Sequence, residues 1–191
     1  INPLFSRINL DGGNVVNWSD RAIITDRVFD ENPDYSSKAK LISEIEKLFE
    51  VEIIVIPQIK SDLTGHADGM VRFVDRNTVL GNDREKEYKY WKIGINKILK
   101  ENGIDFIDIP FLEHKEKNYP DHAIGCYINY LEVDNLIVIP IFETEKNRDQ
   151  EVYDKFRVIF PERKIETINY NKIGFYGGLL NCTTWTINAD K

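Results

Sequence analysis

One thiol near the C-terminus and one imidazole far upstream are the residues of this chain best suited to chemistry. Cys182 lies in the run Gly177-Gly178-Leu179-Leu180-Asn181-Cys182-Thr183-Thr184-Trp185. The other dense polar cluster is Gly65-His66-Ala67-Asp68-Gly69. A thiol, an imidazole and a carboxylate are the minimum parts for covalent catalysis by a cysteine. Their distance in sequence is no objection, because such partners usually meet only in the fold. Together they would attack an electrophilic carbon. Each has a plainer reading. Cys182 could be a small buried hydrophobe, as most cysteines in strands are, and His66 a turn histidine. Cys126, on an apolar stretch, reads as core. His114 and His122, in the polar loop 113–122, read as solvated. With Asp121 they match no strong metal-ligand spacing.

The elements that must position these residues repeat. Glycine-marked starts at Gly12, Gly65, Gly125 and Gly177 recur roughly every 50–60 residues, a period worth treating as structural. Each start is followed by the same pattern of strand, strand, helix and strand. In the first unit the second strand is Ala22–Ile24. A helix over Ser37–Phe49 carries Leu41, Ile42, Ile45 and Leu48 at helical spacing, with Ser36 or Ser37 as N-cap. A buried strand over Val51–Ile56 stops at Pro57. The second unit reads as strands over Met70–Val74 and Thr78–Leu80. A helix from about Glu85 to Lys100 ends at Asn102-Gly103, and a strand covers Phe106–Ile109. The third reads as strands over Ala123–Leu131 and Leu136–Ile139, a helix over Gln150–Ile159 and a strand over Lys164–Ile168. The fourth holds one strand, Leu179–Ile187. Units that cannot bury a core alone pack side by side. Their first strands, with the turns that lead into them, would then converge and bring Asp11, His66, Asp68, Asn129 and Cys182 together.

The composition sets outer bounds. The chain has 191 residues, near the expectation for one domain. Lys+Arg is 25 against Asp+Glu 32, for a net charge of -7. That balance argues against nucleic acid, which rewards a basic face, and suits a cationic substrate. No apolar run reaches the ~18 residues of a membrane span. Two cysteines do not make a disulfide framework, so a reducing, cytoplasmic setting is expected.

Four stretches together resemble the guanidino-group-modifying enzymes of the pentein superfamily, nearest to the agmatine deiminase and bacterial-type peptidylarginine deiminase family. They are Leu10-Asp11-Gly12-Gly13-Asn14-Val15, Thr64-Gly65-His66-Ala67-Asp68-Gly69, Cys126-Tyr127-Ile128-Asn129 and the glycine-rich run before Cys182. Their order and spacing agree over nearly the whole chain. The resemblance implies an α/β fold, a fan of ββαβ repeats around a pseudo-symmetry axis with the site on that axis. Five units are implied, and three and a fraction are legible. The family's upstream stretch, with a further guanidinium-gripping aspartate, is not found here. Residues 1–191 are therefore expected to be a single deiminase-like domain, the C-terminal part of a longer chain. A missing N-terminal segment or a partner chain would close the fan, because open edges are unfavourable.

The resemblance also implies roles. A guanidinium is resonance-stabilised and cationic, so carboxylates must hold it, a thiolate must attack it, and one group must act as acid and then base. Cys182 would be the nucleophile, through a thiouronium intermediate, and His66 the acid and base. Asp68 would accept from the guanidinium nitrogens, Asp11 would orient His66, and Asn129 would contact substrate or order the site. Read as strand neighbours, Asp68, Met70 and Arg72 share a face. Arg72 would then bind a substrate carboxylate, or else form a salt bridge, such as one to Asp75 or to a neighbouring unit. No metal and no cofactor is implied. The expected reaction releases ammonia from agmatine, in a route to putrescine, or from free or peptidyl arginine to give citrulline. The tail Thr183-Thr184-Trp185-Thr186 departs from the agmatine deiminase pattern. An amidinotransferase of the same superfamily and an inactive binding remnant are the alternatives.

Overall fold

The computed structural model describes residues 5–187. These residues form two compact units. The first holds the chain up to Ala67 with Phe73–Val79 and Tyr88–Phe106. The second holds Asp68–Arg72, Leu80–Glu87 and the chain from Ile107 on.

In the first unit, strand β1 (Val16–Trp18) runs antiparallel to β2 (Arg21–Thr25), which runs parallel to β3 (Glu52–Ile56). All five residues of β2 are buried, as expected of a central strand covered on both faces. Between β2 and β3 lie a short helix α1 (Arg27–Glu31) and helix α2 (Lys38–Phe49). Ser37 caps α2, its hydroxyl accepting from Lys40 N at 3.2 Å. Leu41 and Ile45, one turn apart, bury against Ala22, Ile24, Val28 and Ile53. Helix α3 (Lys89–Glu101) packs on β3 through the same kind of apolar stripe, Trp91, Ile95 and Leu99.

In the second unit, β7 (Leu131–Val133) is antiparallel to β8 (Leu136–Ile141), and β8 is parallel to β9 (Lys164–Asn169). Helix α4 (Asp149–Ile159) joins β8 to β9, and the short α5 (Asn171–Gly174) follows. Tyr127, Tyr130, Phe142 and Phe156 are fully buried in edge-on aromatic pairs. A third sheet has the order β4 (Val71–Asp75), β5 (Thr78–Asn82), β6 (Asp105–Ile109). The order strand, strand, helix, strand thus occurs three times.

Four expectations need correction. The helix of the second repeat begins at Lys89, not Glu85, because Asp83 diverts the chain into a turn. Its carbonyl accepts from Lys86 N at 3.0 Å and its carboxylate from Glu85 N at 3.1 Å. Residues 123–130 are turns, not strand. Gly125, at φ +94°, sits so close to Leu112 that an added Cβ would lie 2.1 Å from the Leu112 carbonyl oxygen. Residues 179–187 form no strand either. Thr183 N and Oγ1 both donate to Leu179 O, and Thr184 Oγ1 donates to Leu180 O, which winds one helical turn around Cys182. Asp68 lies in a 3-10 turn, Ala67–Gly69, ahead of β4. The alternation that placed Asp68 and Arg72 on one strand face therefore does not apply.

Candidate functional site

Two polar clusters hold five of the six candidate residues, and each lies within one unit. In the second unit the organising residue is Asn129, 2% exposed, on the turn that leads into β7. Its Oδ1 accepts from Asn181 N at 3.0 Å and from Cys182 N at 3.2 Å. Its Nδ2 donates to Asp68 O at 3.3 Å and points at Cys182 Sγ, also at 3.3 Å. One amide thus pins the backbone of the thiol-bearing turn and touches the sulfur. Asp68, 2% exposed as well, accepts at Oδ2 from Asn181 Nδ2 at 2.7 Å and from Cys182 Sγ at 3.5 Å. Burial of two polar side chains is tolerable only because each is bonded in this way.

The residue Cys182 is exposed as a whole, but its sulfur is half enclosed by these neighbours. That enclosure pushes the thiol above its ordinary value, and the Asp68 carboxylate beside it adds to the rise. The contacts from the Leu179 backbone and the Asn129 amide work in the opposite direction. The resting sulfur is therefore an S–H donor to Asp68.

The first unit carries the second cluster. Asp11 ends an extended segment just before a 3-10 turn, Gly12–Asn14, and its Oδ2 lies 3.1 Å from His66 Nε2. His66 itself follows Gly65, which holds φ +59° and would bring a Cβ to 2.9 Å from Gln58 Oε1. Asp62 closes the loop, accepting at Oδ1 from Thr64 N, Thr64 Oγ1 and Gly65 N, each at 2.8 Å.

Arg72, the sixth candidate, is engaged elsewhere. Its Nη1 donates to Tyr130 O at 3.0 Å and its guanidinium lies 4.6 Å above the Tyr130 ring. Cys126 is only partly buried and donates to Gly69 O at 3.5 Å, so it is not the core residue expected. His114 and His122 are half-buried rather than solvated, their rings edge-on at 5.1 Å, with Phe175 beside His114. Burial, then the neighbouring His114, lower His122 below the ordinary imidazole value. Among the described residues, no group of three or more His, Cys, Asp or Glu side chains could hold a metal ion. No described helix is long and apolar enough to cross a membrane.

Sequence reasoning assigned no role to Asn181, Thr25 or Asp62. Asn181 had one usable signal, its place directly before the thiol. Thr25 had none, since it reads as an ordinary strand residue.

Solved structures with this fold include an agmatine deiminase of C. jejuni with substrate bound. It is 21% identical with a TM-score of 0.76, and the match covers 91% of this chain and 54% of that one. An amidinotransferase from Microseira wollei matches at 13% identity and a TM-score of 0.52 over 90% of this chain and 45% of that one. A Listeria monocytogenes sequence that carries an agmatine deiminase name is 34% identical over 65 residues, 34% of this chain and 17% of that one. The chain thus spans about half the length of the solved structures it matches, and less of that sequence. The three ββαβ repeats share the fold of these solved structures. The family model described as Porphyromonas-type peptidyl-arginine deiminase matches residues 2–187, and this chain belongs to that family.

Proposed function

We propose that this chain carries the nucleophile and the acid–base group of a guanidino deiminase that works through a covalent cysteine intermediate. The single observation behind the reading is the Cys182 sulfur held between Asn129 and the Asp68 carboxylate. An enclosed carboxylate beside a thiol is a poor place for a thiolate, unless a cation arrives. A guanidinium bound to Asp68 supplies that cation. It offsets the carboxylate's charge, lets the S–H proton leave to solvent water, and places its carbon next to the sulfur. The substrate itself thereby brings out the nucleophile.

The reading assigns each cluster its own part of the reaction. The Cys182 thiolate forms a bond to the guanidinium carbon. The C–N bond then breaks, and the departing nitrogen takes a proton from His66 and leaves as ammonia. Water adds to the thiouronium carbon and His66 takes one of its protons. The C–S bond then breaks and the remaining O–H proton passes to the sulfur, which gives the ureido product and the resting thiol. Asp11, against His66 Nε2, fixes the ring, which leaves Nδ1 for the transfers. Agmatine is the first substrate to test and arginine, free or peptidyl, the second. A thiol in this role needs a reducing compartment, and the cytoplasm is our assignment.

Ammonia release from agmatine, arginine and an arginyl peptide tests the reading in wild type and Cys182→Ser. Release from one substrate, abolished in the variant, is expected. No release from any of them in a chain that spans the full length of the family rejects it. Turnover that requires an amine acceptor and frees no ammonia would favour the amidinotransferase chemistry.

A further inference from the structure

We propose that Thr25 is a positioning residue for His66, acting through the main chain of Gly65. The inference rests on the acid–base role given to His66 above, and goes beyond it. Gly65 is held from both sides. Its N–H donates to Asp62 Oδ1 and its carbonyl accepts from Thr25 Oγ1, each at 2.8 Å. The Asp62 contact is local, formed within one exposed loop. The Thr25 contact reaches across 40 residues to the end of β2, the most buried strand of its sheet.

Thr25 is wholly buried, and its own placement is fixed. Its N–H donates to Asn14 Oδ1 at 2.9 Å, and its hydroxyl lies 2.9 Å from the same oxygen. Asn14 is also wholly buried, and its Nδ2 has no hydrogen-bond partner. A hydroxyl has one proton to give. The Asn14 oxygen already receives the Thr25 amide, so that proton goes to the Gly65 carbonyl. The carbonyl belongs to the peptide whose nitrogen is His66 N. Fixing this oxygen fixes the rotation of that peptide, and with it the direction of the His66 side chain towards Asp11.

Valine has the shape and strand preference of threonine but no hydroxyl. In Thr25→Val the Gly65 carbonyl loses its buried donor, and the peptide turns to find another. A displacement of about 1 Å at an acid–base group costs on the order of a hundredfold in rate, so a partial shift costs about tenfold. Thr25→Ser keeps the hydroxyl.

The chain has three histidines, so ring NMR gives three sets of signals, assigned with His66→Gln. In Thr25→Val the His66 ring signal is expected to move towards its position in Asp11→Asn. His114 and His122 should stay in place, and Thr25→Ser should restore the wild-type signal. A His66 signal unmoved in Thr25→Val overturns the proposal. So does movement of all three rings together, or a Ser variant that behaves like Val. In an active full-length chain, kcat should fall about tenfold in Thr25→Val with KM within about twofold. His66→Gln is the separate check. If it releases ammonia at the wild-type rate, the acid–base reading fails whatever the ring signals show.

Discussion

At Cys182 two neighbours act in opposite directions on one sulfur. Burial and the Asp68 charge disfavour the thiolate, and the Asn129 amide favours it. Alkylation by a small neutral reagent reads this balance directly. Its rate should rise with pH and reach half its maximum above the ordinary thiol value, because the thiolate is the reacting form. Asp68→Asn removes the charge and leaves the burial. The half-maximum should move down, and alkylation at neutral pH should speed up by about threefold or more, while deimination is lost. Asn129→Ala should move it the other way. Slower alkylation in Asp68→Asn would contradict the substrate-assisted step. A guanidinium compound should speed alkylation at subsaturating concentration in wild type and not in Asp68→Asn. The residue types were legible because covalent chemistry on a cation demands a thiol, an imidazole and carboxylates. The service of Asn129 was only half legible. Its contact with the sulfur depends on a turn that brings Cys182 back across 53 residues.

Elements follow local rules where apolar periodicity is strong and depart from them where polar side chains compete for the backbone. Helix α2 begins and ends as its pattern indicates, since Ser37 caps it and Leu41 and Ile45 share one face. The stretches expected as strands around Asn129 and Cys182 are turns, and both corrections have named causes. Thr183 and Thr184 bond back to the preceding turn, and Gly125 folds against Leu112 O. Gly125→Ala should therefore destabilise the protein by about 2 kcal/mol, from the positive φ and the overlap together. The urea midpoint measures this. A change below a few tenths of a kcal/mol would mean that this turn relaxes freely. Ser37→Ala, which removes a single cap bond, should cost about 1 kcal/mol.

For the molecule as a whole, two strands in equivalent places differ in cover. Strand β3 is buried at Ile53, Ile54 and Ile56, and α3 lies on it. Strand β9, which ends the third repeat as β3 ends the first, is exposed at nearly every residue, including Ile168 at 45%. We propose that a helix of a further ββαβ unit covers β9 as α3 covers β3. The span of about half the solved structures' length makes a longer chain the first place to look. In a chain extended to family length, exchange at the Lys164–Asn169 amides should slow by about tenfold or more relative to residues 1–191 alone. Unchanged exchange in the extended chain, with slowing only on adding another protein, would place the unit on a partner. Unchanged exchange in both would reject the idea.

By itself the sequence determined the repeat, its helices and the reactive residue types. These depend on spacing within a few turns and on functional groups, which local order carries. Tertiary structure alone decided the hydrogen-bond partners. Asn129 with Cys182, Asp68 with Asn181 and Thr25 with Gly65 are separated by 53, 113 and 40 residues. A hydrogen bond depends on distances of a few tenths of an ångström and on direction. No periodicity along the chain encodes those until the core fixes where each strand ends.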